Sequence, residues 1–376
     1  MPAPPPPPPD EVPPIVVGQF DGLKNTVDLE RLGPKDLFRA TNIDLDDDGQ
    51  PHRRRGTTLM VSGNYHSLFT SENGVVYVVR DGSLGVLNPD YSFVSLANNI
   101  GSDPGAGGLG LAYTQVGTNL YYTSASNAGI VDTVALTVGP WGPSQDIWFS
   151  PVVNPTATLP AIRGRLLGSP PLATTLAYFN GRLYLGNGRT VWCTELFAYG
   201  LVDKTKNYFQ FEGDVTMLAE VTDGIYVGTT EGLWFLSGPN SPLRRDRVMD
   251  SPVIPGSLAY VPGELANPPQ VGLQADTTAE VSAMFMTTRG VCVAMDGGKA
   301  YNLTEGKFFF PVAKRSAAFF RRQDGMNQYI VVSDSAGQPV NGARVGDFVD
   351  AEIVRGNAIW VDVTESAVAL DTIGAG

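Results

Sequence analysis

The chain has 376 residues, with 43 Gly, 29 Pro, 43% apolar and only 17% charged residues, which excludes long solvent-facing helices and favours a turn-rich, all-β particle. The net charge of −12 argues against sequence-specific DNA binding, yet it suits a conduit whose walls must not hold a polyanion. No apolar run approaches the roughly 18 residues of a membrane span, and the start lacks the basic and apolar regions of a secretion signal.

Residues 1–19 open the chain with a proline tract, residues 2–14, that cannot enter a sheet interior and favours extended polyproline II. It reads either as a disordered tail or as a stiff arm lying on a neighbouring subunit. Residues 20–56 form a separate segment. Within it, Gly33-Pro34-Lys35-Asp36-Leu37 has Pro at a first helical position with Leu37 and Ala40 following at helical spacing, which predicts a helical turn. A strand over 41–45, an Asp-rich turn ending at Gly49 and a return strand carrying Arg53, Arg54 and Arg55 should follow. Asp44, Asp46, Asp48 and Gly49 match the start of a calcium loop, but the twelfth position is Arg55, which cannot supply the closing carboxylate. The phrase therefore reads as a hairpin turn in which Gly49 supplies positive φ, and no metal site is assigned.

From about residue 57 to the end, a phrase of turn, apolar strand, Gly-containing turn and second strand recurs around Tyr77, Tyr121, Tyr184, Tyr226, Cys292 and Tyr329. These anchors lie 37 to 66 residues apart, room for one four-stranded antiparallel sheet per interval. Radial repetition of such sheets predicts a β-propeller of about six blades with an N-terminal extension. Two proline-rich stretches, 136–175 and 238–269, break the rhythm and read as long loops, the second carrying Arg244, Arg245 and Arg247. Cys193 and Cys292, mid-strand in apolar surroundings, read as buried thiols. The last 54 residues hold eight carboxylates and two arginines, and the strand-like segment 356–363 should close the ring by pairing with N-terminal strand material.

Chemistry is sparse. His52 and His66 have no surrounding phrase that marks a nucleophile's base, there is no Gly-x-Ser-x-Gly elbow, and two His and two Cys at scattered positions lack zinc spacing. No catalytic, cofactor-binding or metal residue is assigned.

Phe20-x-Gly22, Asn25-Thr26, Glu30-Arg31-Leu32, Ala40-Thr41-Asn42-Ile43-Asp44, Asp48-Gly49 and Arg53-Arg54-Arg55-Gly56 together resemble the N-terminal phrase of the tail nozzle or tail-hub (tail tubular) proteins of short-tailed bacteriophages. Asn25, Leu32, Asn42, Asp44, Asp48, Gly49 and Gly56 carry the match. The chain is shorter than many nozzle proteins, and its proline arm is unusual among them. The resemblance implies a non-enzymatic virion component, made in the host cytoplasm and assembled as a homo-oligomeric ring of six. That ring would sit below the portal and its adaptor ring, with other tail proteins around it, and would retain and conduct duplex DNA during ejection. Arg53, Arg54, Arg55, Arg244, Arg245 and Arg247 are then candidates for the subunit interface. Two other readings stay open: a tail-associated propeller glycosidase or depolymerase, and a ligand-binding propeller scaffold.

Overall fold

The computed structural model describes residues 19–24, 26–38, 43–45, 49–53, 59–100, 110–149, 164–238, 244–263, 281–307, 313–323 and 326–333, and the backbone of 354–362 and 368–374. The described chain is almost entirely β. It builds six consecutive four-stranded antiparallel sheets, over residues 65–97, 112–139, 175–210, 215–249, 259–302 and 316–374, which we number blades 1 to 6. Within each blade the strands lie in sheet order as they occur in the chain, and each blade packs a face on the next, so the molecule is a β-propeller.

Local chemistry sets the hairpins. Asn180 and Gly181, with φ of 46° and 74°, join the first strand of blade 3, Thr175–Phe179, to the second, Arg182–Asn187. Asp81 and Gly82, with φ of 49° and 78°, do the same between Val76–Arg80 and Ser83–Leu87 of blade 1. Two successive residues at positive φ match the right-handed twist of paired strands, which is why Asn-Gly and Asp-Gly occur there.

The repeat anchors are the wedges between blades. All six are at most 4% exposed. Tyr77 lies in the apolar cluster between blades 1 and 2, Tyr121 between 2 and 3, Tyr184 between 3 and 4, Tyr226 and Cys292 between 4 and 5, and Tyr329 between 5 and 6. Val78 and Ile330, on the opposite faces of blades 1 and 6, are buried as well. The tyrosines sit on second strands; Cys292 sits on the third strand of blade 5, because there Ala259–Pro262 is added ahead of the repeated hairpin. In blades 3 to 5 a large side chain faces a small one, whereas Tyr77 and Tyr329 face Phe69 and Phe320. Ala177 faces Tyr184 and Ala219 faces Tyr226, whereas Phe285 faces Cys292.

Several expectations are corrected. The 136–175 stretch is not one loop: it contains Thr137–Gly139, the outer strand of blade 2, and two further strands, Ile147–Phe149 and Arg165–Gly168. These two join Val202–Asp203, an excursion from blade 3, in a three-stranded antiparallel sheet. Likewise 238–269 contains Arg244–Met249, the outer strand of blade 4, and Ala259–Pro262, the first of blade 5; their flanking prolines end strands without preventing them. The turn at Gly33 is not helical. The Asp36 amide donates to the Gly33 carbonyl at 3.1 Å while the Asp36 carboxylate accepts the Gly33 amide at 3.1 Å, and this tight turn sends Asp36–Leu37 into a parallel pairing with Gly22–Leu23. A short 3-10 turn occupies Leu29–Arg31 instead. Among the described residues Ile43–Leu45 pairs with Pro51–Arg53, and Gly49 has the expected positive φ of 70°. A Cβ there would lie 2.9 Å from the Phe20 carbonyl oxygen.

Closure by a sheet shared between the chain ends is also not found among the described residues. The four strands of blade 6 all come from 316–374, and the N-terminal strands pair only with each other. The extension instead lies against the last two blades: Leu23 enters the cluster between blades 5 and 6, and the Thr26 hydroxyl donates to the Gly306 carbonyl at 2.6 Å.

The exchanged pair in blade 5 makes a testable prediction. Cys292→Tyr alone should overpack the blade 4–5 interface and cost about 1–3 kcal/mol in urea unfolding, and adding Phe285→Ala should recover most of that loss. Additive destabilisation in the double variant would show that the two positions do not share one volume.

Candidate functional site

The outer strand of blade 4 carries the most developed surface feature. Because side chains alternate along a strand, Arg245 and Arg247 share a face, over Leu236 and Trp234 of the neighbouring strand, while Arg244 and Asp246 take the other. The guanidinium carbons of Arg245 and Arg247 lie 5.2 and 5.3 Å from the Trp234 ring centre, and that of Arg245 lies 5.6 Å from the Phe211 ring. Phe211 meets Trp234 edge-on at 5.9 Å and belongs to the cluster between blades 3 and 4, so the aromatic shelf is continuous with the core. Each such contact at an exposed site contributes about 0.5–1 kcal/mol and holds the guanidinium in place.

The two arginines differ in what remains free. Arg247 is neutralised by Glu212 at 3.3 Å and Asp250 at 2.6 Å, and Arg244 pairs with Asp246 at 2.9 Å. Arg245 donates to the Gln210 carbonyl at 2.5 Å and has no carboxylate within ion-pair distance among the described residues. A fixed, exposed guanidinium backed by Trp is the composition of an interface hot spot.

Of the other residues singled out in the sequence, Arg53 is exposed on the N-terminal hairpin opposite Ile43. It is not on blade 4, so the structure does not gather the arginines into one site. Leu32 follows the 3-10 turn, and Asp44 and Gly49 flank the Asp-rich turn. Asn25, Asn42, Asp48, Arg54, Arg55, Gly56 and most of the proline arm lie outside the described residues. His66 bonds through Nδ1 to the Ser67 hydroxyl at 2.8 Å. Cys193 and Cys292 are both buried and neither is in a disulfide, and burial pushes the Cys292 thiol up to about 12, so it is an inert core group. Among the described residues no group of three His, Cys, Asp or Glu could hold a metal ion.

Two polar sets were not visible in the sequence, because their members come from distant strands. The first fixes the three-stranded sheet. Asp203, fully buried, accepts from Arg165 Nε at 2.9 Å and from the Thr205 hydroxyl at 2.6 Å, while Arg165 also pairs with Glu195, which accepts from Asn207 at 2.9 Å. Burial alone would raise the Asp203 carboxyl, but the Thr205 and Arg165 bonds outweigh it and hold the group below the usual carboxylate range. The second set lies where the first strands of blades 3, 4 and 5 meet. Glu220 accepts from the Tyr178 amide at 2.8 Å, and its own amide donates to the Tyr260 hydroxyl at 3.2 Å. Burial raises the Glu220 carboxyl, the Tyr178 amide opposing this in part.

No protein-family model and no curated protein matches the chain. Among solved structures, it is similar to the extracellular domain of the hybrid two-component system BT4673 from B. thetaiotaomicron, at 11% identity and a TM-score of 0.44 over 90% of this chain. It covers 40% of that chain, so it spans well under half its length. Kluyveromyces lactis Hsv2 is similar at 11% identity and a TM-score of 0.35, over 82% of this chain and 96% of that one. The dihydro-heme d1 dehydrogenase NirN is similar at 12% identity and a TM-score of 0.37, over 89% and 58%. At these identities and scores the likenesses carry no argument about function. No helix among the described residues is long and apolar enough to cross a membrane.

The two carboxylates titrate with opposite signs. Asp203 has a lowered folded value, so its stabilisation is complete above the ordinary carboxylate range and is lost as pH falls through that lowered value. Asp203→Asn, which leaves Arg165 with Glu195 alone, should cost about 2 kcal/mol at neutral pH and much less in strong acid. Glu220 has a raised folded value, so it opposes folding at neutral pH and ceases to do so in acid. Glu220→Gln should therefore melt higher than the parent at pH 7, with the gap closing as pH falls through the carboxylate range. Melting curves against pH check both, and a pH-independent gap for either variant would remove the titration argument.

Proposed function

We propose that this chain is a structural, non-catalytic propeller that forms part of the tail of a short-tailed bacteriophage, as a nozzle or hub ring that retains and conducts DNA. The observation that carries the reading is the phrase at 20–56, which resembles that family; of its described residues, Leu23 packs between blades 5 and 6 and Thr26 bonds to Gly306. The net charge of −12 fits the same role, since an acidic wall denies duplex DNA the ion-release contacts that would arrest it. The arginine and aromatic face of blade 4 supplies a contact surface of the kind a ring subunit needs, where one patch must meet a different patch on the next copy. Partners on this reading are further copies of the chain, the portal and adaptor ring, other tail proteins, and duplex DNA in passage.

The glycosidase alternative asks for two carboxylates flanking a cleft. Glu220 has the raised carboxyl of a general acid, but among the described residues no second carboxylate perturbs it. The ligand-binding scaffold uses the same fold and differs only in what docks.

Gold-labelled antibody to this chain should mark the tail vertex of virions, and particles assembled without the chain should lose their DNA. Cleavage of host capsular polysaccharide by the purified protein, or unlabelled particles that retain DNA and infect without it, would replace the tail reading with the enzyme or scaffold one.

A further inference from the structure

The first strands of successive blades lie side by side around the propeller axis, and five of them bring a polar side chain to the same rim. Gln115, Tyr178, Glu220 and Arg322 each stand one pair in from the closing pair of their blade's first hairpin, on Ala112–Val116, Thr175–Phe179, Val215–Val221 and Ser316–Gln323. Tyr260, on Ala259–Pro262, stands two pairs in. The register therefore sets all five at nearly one height.

These side chains turn toward the preceding blade. Gln115 Oε1 accepts from the Glu72 amide of blade 1 at 3.0 Å, Glu220 from the Tyr178 amide of blade 3, and the Tyr260 hydroxyl from the Glu220 amide of blade 4. Arg322 shares the strand face of Ala318 and Phe320, which pack on the cluster between blades 5 and 6, so it faces blade 5. Blades 4, 5 and 6 thus present, in order round the axis, a carboxyl, a phenol and a guanidinium.

Gln115 is fully engaged, since its Nε2 also donates to the Gly117 carbonyl at 2.9 Å. The sector of blades 4 to 6 is not. Tyr260 is 39% exposed, and because its oxygen already accepts the Glu220 amide, its hydroxyl proton is left to donate outward. Arg322 is exposed, with no carboxylate within ion-pair distance among the described residues, so Tyr260 stands between an acid and a base that do not meet. Directly opposite Arg322 in register is Asn327, on the same face of the sheet. Asn327 is only 9% exposed, and its Oδ1 is buried without a hydrogen bond among the described residues. An unmet buried acceptor is costly, and a bound group with a proton to give removes that cost.

The unengaged atoms define the ligand. The planar fork of Arg322 matches a carboxylate, Asn327 Oδ1 and the Glu220 oxygen not bonded to Tyr178 need donors, and Tyr260 supplies one. Sulfate brings no proton for Asn327 or Glu220, and an alkyl ammonium brings nothing for Arg322. A sugar acid carries a carboxylate and several hydroxyls on one small frame. We infer that the axial rim of blades 4 to 6 binds a single sugar acid, with its carboxylate on Arg322 and its hydroxyls on Tyr260, Glu220 and Asn327. The site lies within one copy of the chain, so it stands or falls independently of the tail reading.

Isothermal titration of the full chain with glucuronate tests it, with glucose, which lacks the carboxylate, and acetate, which lacks the hydroxyls, as controls. Glucuronate should fill one site per chain with a Kd of about 1 mM or below, at least about tenfold tighter than either control. Arg322→Gln should weaken glucuronate about tenfold, and Tyr260→Phe about threefold, because each removes a donor from a site that keeps its other partners. Melting curves identify a variant that fails to fold; Arg322→Lys, which keeps the charge and loses the fork, then takes the place of Arg322→Gln, with a loss of about fivefold expected. No binding heat up to about 20 mM glucuronate, equal affinity for either control, or an Arg322 variant that binds as tightly as the parent would overturn the inference.

Discussion

Face-to-face packing of consecutive sheets is the constraint on which the rest of the molecule depends. A four-stranded antiparallel sheet buries one face easily, but a blade has a neighbour on each side and must bury both. Its central strands therefore become apolar throughout: Gly224–Thr229 of blade 4 and Gly290–Met295 of blade 5 are buried along nearly their whole length. Since interiors hold few voids, each interface has its own combination of side chains. Tyr stands opposite Ala in blades 3 and 4, Phe opposite Cys in blade 5, and Tyr opposite Phe in blades 1 and 6.

That requirement explains what was legible in the sequence. Tyrosine anchors recurred because each interface needs a wedge, and Asn-Gly and Asp-Gly pairs announced hairpins because the turn needs positive φ. The same signals failed where a blade departs from the pattern. Cys292 stood in for tyrosine, but nothing in its phrase shows that blade 5 gains a strand ahead of the hairpin. The prolines around Arg244 to Arg247 signal a loop, although Arg245 and Arg247, two apart, already have the alternation of a half-exposed strand. The Asp203 and Glu220 sets were invisible for a different reason. Arg165 meets Asp203 across 38 residues and Tyr178 meets Glu220 across 42, and no local pattern encodes a meeting of that kind.

The three-stranded sheet shows how an insertion is held without enlarging the ring. Its strand Ile147–Phe149 has all three residues exposed, so apolar burial contributes little there. Polar anchoring takes over: the buried Asp203 with Arg165, Lys204 bonded to Asp146 at 2.7 Å, and Trp141 donating from Nε1 to the Tyr199 carbonyl at 2.8 Å. Tyr199 in turn meets Tyr121 and Tyr178 edge-on, which ties the insertion to blades 2 and 3. An ion pair at a buried carboxylate is a poor source of net stability but a strict one of geometry, because its loss leaves a charge without solvent. The insertion is therefore positioned more than it is stabilised.

An outer blade edge faces a related choice. Arg244–Met249 exposes unpaired backbone groups on one side, and an apolar strand there would invite indiscriminate pairing with other sheets. Three arginines prevent that by charge. Trp234 then converts one of them from a solvated deterrent into a fixed donor, since a guanidinium lying on an indole has already lost the rotamer freedom that binding would otherwise cost. Protection of the edge and a fixed, exposed donor arise from the same side chain. The aromatic shelf beneath Arg245 separates the two, because a lysine or an unsupported arginine at that position would protect the edge equally well but would keep its rotamer freedom.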